Sequence, residues 1–222
     1  MRDARFRLMI IMALGAVVAL IWLFPSWYPI LNPNTVSISY PGLELEVQVD
    51  YALLPQDAQQ AYEALRDGDE DTEQAPRPDT ALALIRARLL GVDFVVPDEL
   101  QLTEIPSDAT IIRRGTFITP SPISGASGDL IIYQTPSLQR FIRLENGFSV
   151  TRAPEIHLVF TRNPDPYDPN GVGVDYIDVG ALVYNVGTQT YPVPDSVDFA
   201  QYPIVALYAP SINFVLSSAT LR

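Results

Sequence analysis

The chain has 222 residues, of which 48% are hydrophobic, 10% aromatic and only 18% charged, a composition that excludes wholesale disorder and permits one or two soluble units beside a membrane segment. It contains no cysteine, so disulfides, thiolate-bound zinc, iron–sulfur clusters, blue copper and thiol nucleophiles are all excluded. Twenty-six acidic residues face 14 basic ones, all of them Arg, for a net charge of -12; neither nucleic-acid binding nor Lys-dependent chemistry is compatible with that balance.

Leu8 to Leu31 carries no charge, and its dense part runs through Leu8, Ile11, Leu14, Val17, Leu20, Trp22 and Phe24 before Pro25. About 20 apolar residues at ~1.5 Å each cross a hydrocarbon layer, so one transmembrane helix is expected. Arg2, Arg5 and Arg7 precede it and Glu44 is the first charge after it, which places the N-terminus in the cytoplasm and the rest outside, with Trp22, Trp27 and Tyr28 at the outer interface. A cleaved signal peptide would end at small residues, whereas this run ends in the bulky stretch Ile21 to Pro29; retention as an anchor is the expectation, with residues 1–31 as tip and anchor.

Residues 32–109 read as a small membrane-proximal α+β segment. Alternation puts Val36, Ile38 and Tyr40 on one side of a first strand and Leu43, Leu45 and Val47 on one side of a second, both directed the same way when Tyr40 pairs with Leu43, predicting a hairpin or two short strands around Pro41-Gly42. Pro55 to Arg66 predicts a helix, and Asp79 to Gly91 a second, with Asp79 as N-cap, Gly91 as terminator and Leu82, Ile85 and Leu89 sharing a face. The acidic stretch from Asp67 to Asp79 between them reads as a solvated loop.

From Thr110 the chain changes character, with short runs rich in Ile, Val, Tyr and Phe separated by Pro, Gly, Asn and Asp. Candidate strands are 111–117, 129–135, 140–145, 155–161, 180–186, 204–209 and 212–218, so residues 110–222 are expected to form a mainly β, antiparallel sandwich or barrel-like domain.

Four pieces in order then resemble the DM-thirteen family of electron-transfer domains, over about 114–222. The first is Gly115-Thr116-Phe117 with the run through Gly128 to Tyr133; the second is RFIRLENGF with Pro154 and EIHLVF. The third carries Gly180, Leu182, Gly187, Tyr191 and Pro194, and the fourth ends the chain. The resemblance implies a cysteine in the last strands, on which the family's redox role rests. Aligned through Asn213, Ala219 and Leu221, that position is Ala209, preceded by Tyr208. A methyl group neither transfers an electron nor binds a metal, so the resemblance implies the fold without that chemistry.

His157 is the only imidazole and alternates with Ile156, Leu158 and Phe160, so it should project from the other side of its strand as a half-exposed residue rather than a ligand. Met1, Met9 and Met12 all belong to the anchor end, and no nucleophile elbow surrounds any serine. Asp165, Asp168, Asn170, Asp175 and Asp178 gather in a loop stiffened by Pro164, Pro166 and Pro169, a candidate Ca²⁺ site by donor chemistry whose spacing fails the EF-hand pattern at its first ligand. Tyr133, Tyr167, Tyr176, Tyr184, Tyr191, Tyr202 and Tyr208 make the β domain tyrosine-rich; Tyr191 and Tyr208 are expected in the core, Tyr167 and Tyr176 exposed.

By elimination the sequence reads as a non-enzymatic, single-pass membrane protein with an extracytoplasmic interaction or scaffold domain, an accessory subunit of a respiratory or photosynthetic complex, its partners the membrane and other membrane-protein subunits. No cofactor and no small-molecule substrate is assigned. Two alternatives stay open: a redox domain using a non-covalent cofactor, and a Ca²⁺- or sugar-binding β domain. Arginine as the sole basic residue suggests a GC-rich bacterial source.

Overall fold

The computed structural model describes residues 40–68, 79–91, 104–145, 147–168 and 170–222. The expected anchor, the strand around Val36 and Ile38 and most of the acidic loop lie outside the described residues. Among the described residues no helix is long and apolar enough to cross a membrane. The chain divides into two compact units, Met1–Pro41 and Gly42–Arg222.

Among the described residues the second unit opens with three helices: α1 (Leu45–Ala52), α2 (Gln56–Arg66) and α3 (Thr80–Leu90). Helix α1 corrects the strand expected from Leu43 onward. A period of two is also a period of four, and the alternating apolar residues split into two helical stripes: Leu43, Val47 and Tyr51 are buried, while Leu45, Val49 and Leu53 face outward. Gln48, buried beside them, donates to the Leu43 carbonyl at 3.1 Å, and the Tyr51 hydroxyl donates to the Gln59 carbonyl at 3.3 Å, joining α1 to α2.

Helix α2 forms as expected and buries Ala58 and Tyr62. In α3 the buried stripe is Ala81, Leu84 and Ile85 rather than Leu82, Ile85 and Leu89, because Leu82 turns toward Gly42 and Leu89 is only half-buried. Asp79 occupies the N-cap position without a side-chain cap bond, and Gly91 ends the helix in extended rather than left-handed backbone. Hydrogen bonds tie α3 to loops of the β region: Thr80 Oγ1 to the Ile212 carbonyl, Arg88 to the Pro122 carbonyl, and Arg152 to the Arg88 carbonyl.

Among the described residues ten strands follow: β1 (Thr110–Thr116), β2 (Ala126–Ser127), β3 (Asp129–Gln134), β4 (Arg140–Leu144), β5 (Ser149–Val150), β6 (His157–Thr161), β7 (Ile177–Ala181), β8 (Gln189–Pro192), β9 (Ile204–Ala209) and β10 (Phe214–Thr220). They form two four-stranded sheets, in the orders β1-β3-β4-β8 and β10-β9-β6-β7, and a short β2-β5 pair; every pairing is antiparallel. The mainly β, antiparallel expectation for the C-terminal region is met.

Period two sets what each sheet buries. On β3 and β4, Leu130, Ile132, Ile142 and Leu144 are fully buried while Asp129, Ile131, Arg143 and Glu145 occupy the other face. Strands β6 and β9 are buried on both faces, with Leu158, Phe160, Val205 and Leu207 on one and Val159 and Ala206 on the other. Each fully buried aliphatic or aromatic side chain contributes ~1.5–3 kcal/mol. The sheets are stitched along one edge: Arg114 and Arg222 exchange backbone hydrogen bonds, Ile118 N donates to the Ser218 carbonyl, and Ser217 Oγ donates to the Ile118 carbonyl at 2.5 Å.

The expected strand 180–186 is shifted. β7 ends at Ala181, and beyond it the Gln189 side chain takes a strand's place, accepting from Tyr184 N at 3.1 Å and donating to the Tyr184 carbonyl at 2.8 Å.

Candidate functional site

The sole histidine stands at the start of β6, where His157 pairs with Tyr208 of β9. Residues opposite each other in an antiparallel pair project to the same face with Cβ atoms ~4.5–5.5 Å apart, so imidazole and phenol are neighbours. Asp178 of β7 reaches across from the other side, its Oδ2 lying 2.8 Å from His157 Nδ1. A carboxylate opposite Nδ1 favours a proton on that ring nitrogen. The other oxygen of Asp178 accepts from Gly180 N at 2.8 Å, and a bulge in the β6–β7 pairing at Leu158/Val159 re-aims the strand at this point.

Tyr208 is buried and donates its hydroxyl to Asn213 Oδ1 at 2.8 Å. The Tyr176 ring meets it edge-on, with centroids 5.7 Å apart and planes at 65°. His157, Asp178 and Tyr176 thus surround the buried Tyr208 on the face of the sheet opposite Leu158 and Leu207. As expected, Tyr191 and Tyr208 lie in the core, and Tyr167 and Tyr176 are exposed.

The Asp-rich loop is a cover for the remainder of that face. Thr161 Oγ1 donates to the Val172 carbonyl at 2.7 Å, which seats Val172 among Val159, Ala206, Tyr208 and Val215. The Tyr167 hydroxyl donates to Ser218 Oγ at 3.0 Å, and partial burial pushes its pKa up against that bond. The five candidate Ca²⁺ residues have separate duties. Asp165 accepts from Tyr167 N; Asp168 accepts from Asn163 Nδ2, Asn170 N and Asn170 Nδ2; Asp175 lies 3.8 Å from Arg162; Asp178 holds His157. At Asp168, slight desolvation works upward, but the hydrogen bonds from Asn170, Asn163 and Gly171 prevail and hold the carboxyl below its usual range. Among the described residues no group of three or more His, Asp or Glu side chains is placed to hold a metal ion.

Ala209 closes β9 on the same face as Leu207 and Val205, completely buried and paired with Phe214. Its methyl group offers no donor atom, so the residues at this position do not fit thiol-based redox chemistry. The other signature positions build the fold. Phe117 packs on Phe148 at 5.6 Å, and Gly128 adopts φ +100° with no room for a Cβ, which would stand 2.8 Å from Phe148 Cα. At Gly115 a Cβ would press on the Thr220 carbonyl at 3.1 Å. Pro154 lines a cleft of about 450 Å³ with Arg86, Ala87, Arg152 and Asn185 beneath α3. Leu182 N donates to the Ile156 carbonyl and Gly187 N to the Phe148 carbonyl; the Tyr191 hydroxyl donates to Gln189 and accepts from Val183 N. The Pro194 carbonyl accepts from Arg140.

Sequence reasoning singled out His157 and Asp178 but did not unite them, and gave Asn213 no functional role. Asp178 lies 21 residues from His157 and joins it only through β6–β7 pairing; Asn213 announces itself solely by a left-handed φ of +48° in the β9–β10 turn.

Residues 117–221 match the family described as Electron transfer DM13. No curated protein and no solved structure matches the chain.

Proposed function

We propose that this DM13 domain is the extracytoplasmic part of a membrane-anchored, non-enzymatic interaction module, an accessory subunit that joins other membrane-protein subunits of a respiratory or photosynthetic complex. The family ties the domain to electron transfer; its own part in that setting is to bind and position rather than to carry electrons on its side chains. The observation that supports this best is Ala209: a buried methyl group stands at the position where the resemblance implies a cysteine, in a chain with no cysteine at all.

What remains for recognition is surface. The His157–Asp178 pair beside Tyr176 and Tyr208 combines a donor-acceptor pair with aromatic area, the composition of a contact centre. The Tyr208 hydroxyl is engaged by Asn213 at 2.8 Å, which fixes the ring within this contact centre. Arg2, Arg5 and Arg7 ahead of the uncharged stretch 8–31 support a cytoplasmic N-terminus and an external domain.

Gentle-detergent extraction from native membranes tests the reading. The protein should migrate with defined membrane subunits in fixed stoichiometry, colourless when separated from them, and Tyr176→Ala should weaken that association without lowering the melting temperature. A visible absorption band or a stoichiometric transition metal in the isolated protein would replace it with the cofactor-binding alternative.

A further inference from the structure

We propose that a cleft of about 680 Å³ at one end of the β1-β3-β4-β8 sheet is a binding site for a hydroxylated monocarboxylate of the sugar-acid class, with Arg113 as the partner of its carboxylate. None of its residues belongs to the His157 contact centre, so the two sites stand or fall separately.

Register assembles the site. Arg113 of β1 pairs with Ile132 of β3, and Ile132 with Ile142 of β4; both isoleucines are fully buried, so Arg113 projects from the core-facing side of the sheet. The register shift between Ile111 and Arg113 is what brings it to that side. Gln134 pairs with Arg140, each two residues along its strand from one of these isoleucines and therefore on the same side. A sheet face that is apolar through Leu130, Ile132, Ile142 and Leu144 thus ends in two guanidinium groups and an amide. Phe199 is the floor beneath them: the guanidinium carbon of Arg113 lies 6.0 Å, and that of Arg140 5.1 Å, from its ring centroid.

These groups hold spare hydrogen-bonding capacity. Arg140 donates to the Pro194 and Val197 carbonyls, but Arg113 makes a single bond, from Nη1 to the Ile112 carbonyl at 2.7 Å, and the side-chain amides of Gln134 and Gln139 make none among the described residues. Neither arginine pairs with a carboxylate there, in a chain whose net charge is -12. An inward charge on an outermost strand also discourages pairing with other chains. That role needs no second cation and no open amides beside it. An incoming carboxylate uses all of them: the planar fork of Arg113 matches its two oxygens, and Arg140 adds positive field.

Asp195 selects the kind of anion. Its carboxylate lines the same cleft and is exposed. It opposes a phosphate dianion more strongly than a single negative charge, and it accepts hydrogen bonds from ligand hydroxyls. The Gln134 and Gln139 amides each donate and accept, which also suits hydroxyls. One carboxylate partner surrounded by hydroxyl partners describes a sugar acid, and the cleft falls in the ~300–1,000 Å³ range of small-ligand sites.

Full-length protein in non-ionic detergent is titrated calorimetrically with sodium D-glucuronate at constant ionic strength, with D-glucose, acetate and inorganic phosphate as comparison ligands. Glucuronate should bind, glucose should give no heat, and acetate and phosphate should each bind at least about tenfold more weakly. Arg113→Gln should melt with the parent and lose at least about tenfold in glucuronate affinity. Asp195→Asn keeps the site testable should Arg113→Gln unfold: it should strengthen the binding of phosphate more than that of glucuronate. No heat with glucuronate, or an affinity that Arg113→Gln leaves unchanged, would overturn the site. Phosphate bound as tightly as glucuronate by the parent would overturn the assignment to a carboxylate.

Discussion

The Arg140 guanidinium lies 5.1 Å from the centroid of the Phe199 ring while its two terminal nitrogens donate to the Pro194 and Val197 carbonyls, each at 2.8 Å. One planar fork thus fastens β4 to the loop before β9, and Phe199 in turn meets Phe160 of the core at 6.0 Å. A point-charge ammonium can neither bridge both carbonyls in a fixed geometry nor stack in the same way. Arg140→Lys is expected to lose ~1–2 kcal/mol and Arg140→Ala ~2–4 kcal/mol in urea unfolding, since truncation strands two carbonyl acceptors and removes the cation over the ring. Equal losses in the two variants would mean that charge, not the fork, is what matters.

Two glycines with left-handed φ allow backbone strain to be separated from steric exclusion. Gly147 has φ +89° and open space where a Cβ would stand, whereas Gly128 has φ +100° and would drive its Cβ to 2.8 Å from Phe148 Cα. Gly147→Ala is expected to cost ~1 kcal/mol from strain alone, and Gly128→Ala ~3 kcal/mol or more because backbone must also move. Thermal unfolding of the pair, with the difference between them as the readout, checks this.

Much of the β region was legible because strand formers and turn residues alternate there in blocks; β9 spans the same six residues expected from IVALYA. The misses have physical sources. The two-residue strands 126–127 and 149–150 carry too little pattern to register, and β8 is built from Gln189, Thr190, Tyr191 and Pro192, which lack apolar alternation. The helix at Leu45 was unreadable because alternation of Leu, Val and Tyr with Glu, Gln and Asp satisfies period two and period four equally, and only the packing of Val47 and Tyr51 decides between them. At the candidate site, chemistry was visible in His157 and Asp178, but their meeting depends on the β6–β7 register and its bulge, which no local pattern specifies.

Acid should loosen the loop that covers the outer sheet face. The folded pKa of Asp168 is depressed because its carboxylate accepts from Asn170 N, Asn170 Nδ2 and Asn163 Nδ2. A depressed folded pKa contributes stability that is present above the unfolded value, about 4, and is lost as pH falls through the folded value. Stability plotted between about pH 4 and pH 2 should therefore slope less steeply in Asp168→Asn than in the parent, with the two curves converging at the acid end. The contribution is small because the group is largely solvated, so hydrogen exchange of the Asn170 amide, which donates to the Asp168 carboxylate at 2.8 Å, is the sharper measurement. A protection factor at Asn170 that does not change across this range would disprove the linkage.

Restoring a thiol at Ala209 asks whether this position ever meets solvent. Ala209 is fully buried on the inner face of β9, and Ile212 N donates to its carbonyl at 3.3 Å, closing the turn that leads to β10. In a chain with no other cysteine, Ala209→Cys supplies one unique reporter. The added sulfur must be accommodated in a packed core, at an expected ~1–3 kcal/mol. A thiol there should resist a bulky disulfide reagent for hours in native conditions and react within seconds in denaturant, at a rate that tracks opening of the β9–β10 hairpin. Rapid labelling of native, fully folded protein would show instead that a side chain here exchanges with the exterior, and would return this position to the set of residues able to take part in electron transfer.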